Sequence, residues 1–378
     1  MPVYLDHNAT TPLDERALEA MLPYLRGHYG NPSSVHRFGR LARAAVETAR
    51  EQVAALVNAH PTQVIFTGGG TEANNLAIKG VAAACRPGRL AIGATEHPSV
   101  AKAAAALTRR GWRRDILDVD SEGRVVVDAL APGTALVSVM LANNETGVIQ
   151  DIAAVGAAAR RAGAILHTDA VQAAGKINVD FAATGAQLLS LSAHKLYGPK
   201  GVGALIVDKA VEIEPLLSGG GQEQGRRAGT ENVAGIVGFG AAAMLARERL
   251  DEYGRRMPEL RRRLEAGLRA LGGIEIFSAH AERLPNTVGF GARGVDGETL
   301  LMGLDQAGMA VSSGAACSSG SREPSPVLRA MGIERDLARG AIRVSLGHGN
   351  TEDEMDAFVA ALAAQLARLR PPVRRAAG

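Results

Sequence analysis

The chain has 378 residues, 46% of them hydrophobic and only 3% aromatic, and its 42 basic residues nearly balance 39 acidic ones for a net charge of +3. That length supports about two domains packed with Ala, Val, Leu and Gly, and the even charge balance does not point to nucleic acid. The one basic cluster, Arg368 to Arg375, reads as a solvated terminus. The longest apolar run, Val233 to Ala246, falls short of the roughly 18 residues a membrane helix needs. No basic leader precedes an apolar stretch at the start. Cys85 and Cys317 make neither a disulfide framework nor a zinc set, so a reducing, cytoplasmic compartment is expected.

From about residue 45 to residue 210, short apolar runs alternate with helical patterns, the signature of βαβ units and a largely parallel sheet. The strands expected are Gln63–Thr67, Arg89–Ala94, Ala135–Leu141, Ala164–Thr168, Gln187–Ser190 and Val202–Val207. Leu41–Val57, Ala73–Val81 and Ile152–Ala162 carry the three- and four-residue spacing of amphipathic helices between them. Gly219-Gly220-Gly221 precedes a long charged helical pattern, Ala234 to Leu271. Strands at Ile274–Phe277, Thr287–Phe290 and Ala341–Leu346 follow, with helices at Asp296–Ala307 and Thr351–Leu369. This α/β chain is therefore expected to divide near residue 250 into a large domain, 1–250, and a smaller α+β domain, 251–378, with the N-terminal segment free to pack on the small domain.

Polar groups at strand ends are where open α/β sheets place ligands. Lys195 stands on a short connection between two apolar strands; it is either a surface charge or a desolvated amine able to attack an aldehyde. Asp169 closes another strand, as a cap or as the acid that keeps a pyridine nitrogen protonated, and Gln172 can meet the same ligand from the same loop. Gly68-Gly69-Gly70-Thr71 opens a helical pattern and can cradle a phosphate, although the Walker and dinucleotide fingerprints are absent. His97 follows a strand as a structural residue, or as a ring that stacks on a planar ligand and moves protons. Cys317 is centred in the ten small residues Ser312–Ser321, which predicts an exposed thiol on a mobile loop. Cys85, in an apolar helical stretch, is expected to be an inert core residue. Arg343, on an alternating strand, needs an anion, either a structural carboxylate or that of a substrate.

Together these residues resemble the cysteine desulfurases of the NifS/IscS type, in the class V aminotransferase family. The motifs run in order from Val3-Tyr4-Leu5-Asp6-His7-Asn8-Ala9-Thr10-Thr11 to about Leu362. The resemblance implies the type I fold of pyridoxal-phosphate enzymes, with a mainly parallel seven-stranded sheet between helices. It implies that SAHKLYGPKG carries the Schiff-base lysine, Lys195, with Ser192 and His194 at the cofactor phosphate. GGGTEANN then supplies Gly70 and Thr71 at the phosphate, NNETG supplies Asn144 near ring or substrate, and DAVQ sets Asp169 at the pyridine nitrogen and Gln172 at the ring hydroxyl. In GRRAGTEN, Thr230 would reach the partner's phosphate, which implies a homodimer.

The implied reaction converts L-cysteine to L-alanine. Arg343 holds the substrate carboxylate, Lys195 removes the α-proton, His97 mediates protons, and Cys317 takes the sulfur as a persulfide for an iron–sulfur scaffold or a thiolation relay. No resident metal is expected, Cys317 being at most a transient ligand of an iron–sulfur cluster. His348 departs from the pattern, standing where relatives commonly have arginine, and the chain ends sooner after its last helix than relatives whose C-terminal segment helps dock the scaffold. Selenocysteine lyase and a plain class V transaminase are the rival enzymes. A scaffold with a vestigial site is expected to have lost Lys195, Asp169 or Cys317, all of which are present.

Overall fold

The computed structural model describes residues 2–313 and 324–370. Its strands, in chain order, are β1 (Val3–Tyr4), β2 (Val64–Thr67), β3 (Arg89–Gly93), β4 (Arg113–Leu117), β5 (Thr134–Ser138), β6 (Ile165–Asp169), β7 (Leu188–Ser192), β8 (Gly203–Val207), β9 (Ile274–Ile276), β10 (Thr287–Ala292), β11 (Met309–Ala310) and β12 (Ala341–Ser345). Seven of them form one sheet in the order β2-β8-β7-β6-β5-β3-β4. Only β8 runs against its neighbours β2 and β7, and the other pairings are parallel. Strands β7 and β8 are buried on both faces, as near-continuous apolar runs require.

All six strands expected in the first half are present, with no end shifted by more than three residues. The expectation omitted β4. Its sequence, Arg-Arg-Asp-Ile-Leu, alternates exposed and half-buried positions at the sheet edge, where charge guards against pairing with other chains. The helical run after β2 is also not uniform, since Leu76–Gly80 widens to a π-turn between α-helical segments.

One face of the sheet packs on a core that includes Val46, Val53, Leu166 and Phe239, the other on a core that includes Leu76, Ile92, Val100 and Leu136. Few aromatics are needed because helices approach closely. A Cβ on Gly240 would lie 2.7 Å from Ala49 Cα, so the helices Arg37–Leu56 and Val233–Ala270 meet nearly backbone to backbone. A separate core gathers Tyr253, Leu264, Phe290, Val344, Phe358 and Leu362 around the sheet β12-β10-β9, and Leu5 belongs to it. The 38-residue helix Val233–Ala270 contributes to both cores. Cys85 corrects the expectation of a core residue: the helix stops at Ala84, and Cys85 is exposed at its end.

The Gly-rich segment 219–225 is fastened by a buried ion pair. Arg50 donates to both carboxylate oxygens of Glu223 at 2.8 Å and to Val64 O at 2.7 Å, while Phe66 N donates to Glu223 Oε2 at 2.8 Å. Glu223 and Gln224 hold positive φ values of 46° and 60° to make this fit. Removing one partner of such a pair strands the other charge in the interior. Glu223→Ala is therefore expected to destabilise the protein by about 3–5 kcal/mol, visible as an earlier midpoint in chemical denaturation; an unchanged midpoint would contradict this account of the pair.

Candidate active site

The C-terminal ends of β2, β3, β5, β6 and β7 open on one side of the sheet, and the turns that follow them line a cleft of about 610 Å³. A parallel sheet aims its strand ends, and the helix starts behind them, at one place. The cleft brings together Gly70, Thr71, His97, Asn144, Asp169, Gln172, Ser192, His194, Lys195 and Arg343. Thr230 lies outside it and is exposed. Cys317 falls outside the described residues.

Both flanks of the segment bearing Cys317 sit beside the cleft. Ser312 exchanges backbone hydrogen bonds with Arg343, at 3.2 and 2.7 Å. Ser325 Oγ donates to Glu145 Oε2 at 2.5 Å, next to Asn144.

Lys195 ends a single 3-10 turn, Ala193–Lys195, directly after β7. Its amine donates to the backbone carbonyls of Asn8 and Ala9 at 2.5 and 2.7 Å. Asp169, buried at the end of β6, accepts from Asn74 Nδ2 at 2.6 Å and from Val171 N at 2.9 Å, which fixes the carboxylate plane. His97 caps the helix Pro98–Thr108, accepting from Ser99 N, with Nδ1 also 2.7 Å from Ser99 Oγ. Burial lowers its pKa; the charge of Asp169 opposes this and that of Lys195 adds to it. His194 is likewise lowered to about 4 by burial, then by Lys195 and Lys200. Glu96, beside Asp169, is raised well above the carboxylate range by burial, which outweighs the Met140 N–H bound to Oε1.

Arg343 has the structural partner of the two that the sequence allowed. Nη2 pairs with Asp6 Oδ1 at 2.6 Å and Nη1 donates to Asn144 O at 3.1 Å, while the buried Nε has no hydrogen bond among the described residues. The structural carboxylate is thus present, and the guanidinium still borders the cleft with a donor to spare.

The residues fit pyridoxal phosphate. Ser192 Oγ is buried with no hydrogen-bond partner among the described residues, beside the Gly68–Thr71 turn. Gly69 holds φ +144° with open space where a Cβ would stand, and the turn is braced by Gly68 N donating to Glu72 Oε2 at 2.7 Å. An anion there would meet a helix start, the Ser192 hydroxyl and Lys200. Asp169 and Lys195 would supply the acid and the amine that the rest of the cofactor requires.

Sequence reasoning did not single out Asn8, Asn74, Glu145, Lys176 or Lys200. Asn74 lies on the helix face that Gly70 begins, four residues on, a spacing that offers a signal. Asn8 and Lys176 carry none, because their partners are remote in sequence.

The sequence profile described as aminotransferase class-V matches residues 3–358. A cysteine desulfurase of Gluconacetobacter diazotrophicus is 46% identical over 97% of this chain and 94% of its own length. The cysteine desulfurase IscS of Methylobacillus flagellatus is 44% identical over 98% and 93%. A solved structure titled a NifS-like protein superposes with a TM-score of 0.92 at 38% identity, covering 98% of this chain and 100% of that one.

Glu145 provides a pH test of the cleft's flank. Burial raises its pKa from 4.5 to about 7, against the pull of the Ser325 hydroxyl and the Arg343 charge. Between those values the folded protein holds a proton that the unfolded chain has released. Its contribution to stability therefore falls as pH rises from about 4.5 to about 7. Thermal midpoints between about pH 5 and pH 7.5 should decline more for the wild type than for Glu145→Gln; parallel declines would refute the raised pKa.

Proposed function

Because this chain belongs to the class V aminotransferase family and is a pyridoxal-phosphate-dependent cysteine desulfurase, we propose the following roles for its cleft. Lys195 is the amine that holds the cofactor's aldehyde, and Asp169 accepts the hydrogen bond of its ring nitrogen. Gln172 meets the ring hydroxyl. Gly70, Thr71, Ser192 and His194 take the phosphate, His97 stacks on the ring, and Asn144 borders ring and substrate. The convergence of Lys195, Asp169 and the partnerless Ser192 hydroxyl in one cleft is the observation that supports this assignment most. When bound, the cofactor supplies an electron sink for charge developing on the substrate's α-carbon.

Arg343 receives the carboxylate of L-cysteine through its spare Nε and the edge now shared with Asp6. Lys195, once released to the cleft, removes the α-proton, and the two carbonyls of Asn8 and Ala9 hold its nitrogen at the end of β7. The lowered pKa of His97 keeps its ring neutral near pH 7, so it can both accept and return a proton. The Cys317 thiolate then attacks the substrate sulfur. An S–S bond forms, the substrate C–S bond breaks with its electron pair passing to carbon, and that carbon is protonated. Alanine leaves and the persulfide on Cys317 passes to an acceptor protein, an iron–sulfur scaffold or a thiolation relay.

The working unit we propose is a homodimer. Tyr29 and Phe38 stack on each other yet remain 80% and 50% exposed, with Val35 beside them 86% exposed, an apolar surface that a second copy would cover. Thr230, outside its own cleft, reaches the phosphate of the partner's. The boundary near residue 250 divides a cofactor-binding domain from one that carries Cys317 and Arg343, with the long helix as the link. No helix among the described residues is long and apolar enough to cross a membrane. A thiol cycling through a persulfide needs a reducing compartment, and the cytoplasm is the proposed location.

The decisive measurement is alanine release from cysteine by the purified protein with pyridoxal phosphate, followed by mass-spectrometric mapping of the persulfide. Lys195→Ala should lower turnover by about 10²–10⁴-fold or more, and Cys317→Ala should abolish the persulfide. Arg343→Ala should raise KM for cysteine by about 10- to 100-fold. No alanine from the wild type, or a persulfide on Cys85, would overturn the mechanism.

A further inference from the structure

A second lysine lies beneath the cleft, and the chemistry above does not use it. Lys176 follows Gln172 by four residues in the turns after β6 and is only 5% exposed. A lysine this buried ordinarily pairs with a carboxylate. Lys176 instead donates to two neutral oxygens, Asn8 Oδ1 at 2.9 Å and Gln172 Oε1 at 2.8 Å. The charged groups felt at Lys176 are cations, Lys195 and Arg343, and burial followed by these two holds its pKa well below the usual lysine value. His7 faces it from the N-terminal segment and is itself held at about 4 by burial and then by Lys176. A methionine of similar length would fill the same space and spare the cost of burying a charge, which offsets the donor that Asn8 and Gln172 lose, so packing alone does not account for the amine.

The bonding pattern does account for it. A primary amide has an accepting end and a donating end of nearly the same shape, and its neighbours decide which way it faces. The Asn8 carbonyl only accepts and the Lys176 amine donates, so the Gln172 NH₂ faces the first and Oε1 the second. Its NH₂ then donates one hydrogen to Asn8 O at 2.9 Å and keeps the other for the cleft it lines. Asn8 is oriented in the same way, with Oδ1 accepting from Lys176 and from Asn286 Nδ2, while its backbone oxygen also holds the Lys195 amine.

We propose that Lys176 is a positioning residue for the cofactor site: it locks the Gln172 amide with an N–H toward the cleft, so that the site offers a donor to an anionic oxygen on the ring of pyridoxal phosphate. The inference rests on the cofactor roles assigned to Lys195 and Gln172. Without Lys176 the Oε1 end loses its donor and the amide is held by the Asn8 carbonyl alone, so its N–H is less firmly aimed at the charge it stabilises.

The test uses full-length Lys176→Met, Lys176→Gln, Gln172→Leu and the double variant K176M/Q172L. Three quantities are measured: the pH titration of the visible absorbance band with pyridoxal phosphate bound, the cofactor's dissociation constant, and the thermal midpoint of the cofactor-free protein. K176M should move the titration midpoint by about one pH unit and weaken cofactor binding about tenfold, without lowering the cofactor-free midpoint. K176Q still donates to Gln172 Oε1 and should recover most of both. In the Q172L background, K176M should change cofactor binding by less than about twofold.

A K176M protein that titrates and binds as the wild type does would overturn the proposal. So would a K176Q protein no better than K176M, or a full K176M effect that persists without Gln172. A wild type with no visible band, or a band that survives Lys195→Ala, would instead sink the underlying assignment of Lys195.

Discussion

Asn8 uses every hydrogen-bonding group it has. Its backbone N–H donates to Ser345 Oγ, and its amide N–H groups donate to Asn144 O and Thr287 Oγ1. Its side-chain oxygen accepts from Lys176 and Asn286, and its backbone oxygen from Gln172 and Lys195. Four of these partners stand in the turns at the strand ends of the large sheet, and three lie on or beside β10 and β12 of the smaller one. One fully buried residue from the N-terminal segment therefore ties both cores to the lysine. A group there that lost its last partner would be stranded without water, at about 1–3 kcal/mol, and Asn8 Oδ1, its side-chain NH₂ and its backbone oxygen each have two partners. Leu5 anchors the same segment among the apolar residues of the second core, which keeps Asn8 in place.

Around that joint the cleft sorts its charges by burial rather than by pairing alone. Lys176 lies within reach of the charges of Lys195 and Arg343, and Glu96 within reach of that of Asp169. Glu96 is driven toward its neutral form partly because Asp169 is near, so one negative charge is concentrated where a ring nitrogen would need it. Burial lowers the pKa of His97 against the charge of Asp169, and burial with Lys195 and Lys200 lowers that of His194, so both rings are neutral near pH 7. The anion places are left to backbone amides, hydroxyls and Arg343, which stay charged or polar at any working pH.

Much of the fold was legible because its signals are local. Strands buried on both faces write themselves as apolar runs, and the polar residue that ends each run marks the cleft: Thr67 before the glycines, Asp169 after Thr168, Lys195 after Ser192. Strand β4 escaped because an edge strand needs no apolar run, and Cys85 was misread because the helix of Val81–Ala84 ends one residue before it. Residue type and position were enough to single out Lys195, Asp169, Gln172 and Arg343, and the structure brings the four to one cleft.

What the sequence determined by itself is the alternation of strand and helix, and with it the row of functional groups at the strand ends, since both follow from periodicities a few residues long. What only tertiary structure decided is how those groups are oriented. Asn74 reaches Asp169 across 95 positions, Asn8 reaches Ser345 across 337, and Lys176 turns Gln172 through a bond whose value depends on everything that excludes water around it. A buried hydrogen bond takes its strength from the dielectric that the whole fold creates. No stretch of sequence contains that quantity.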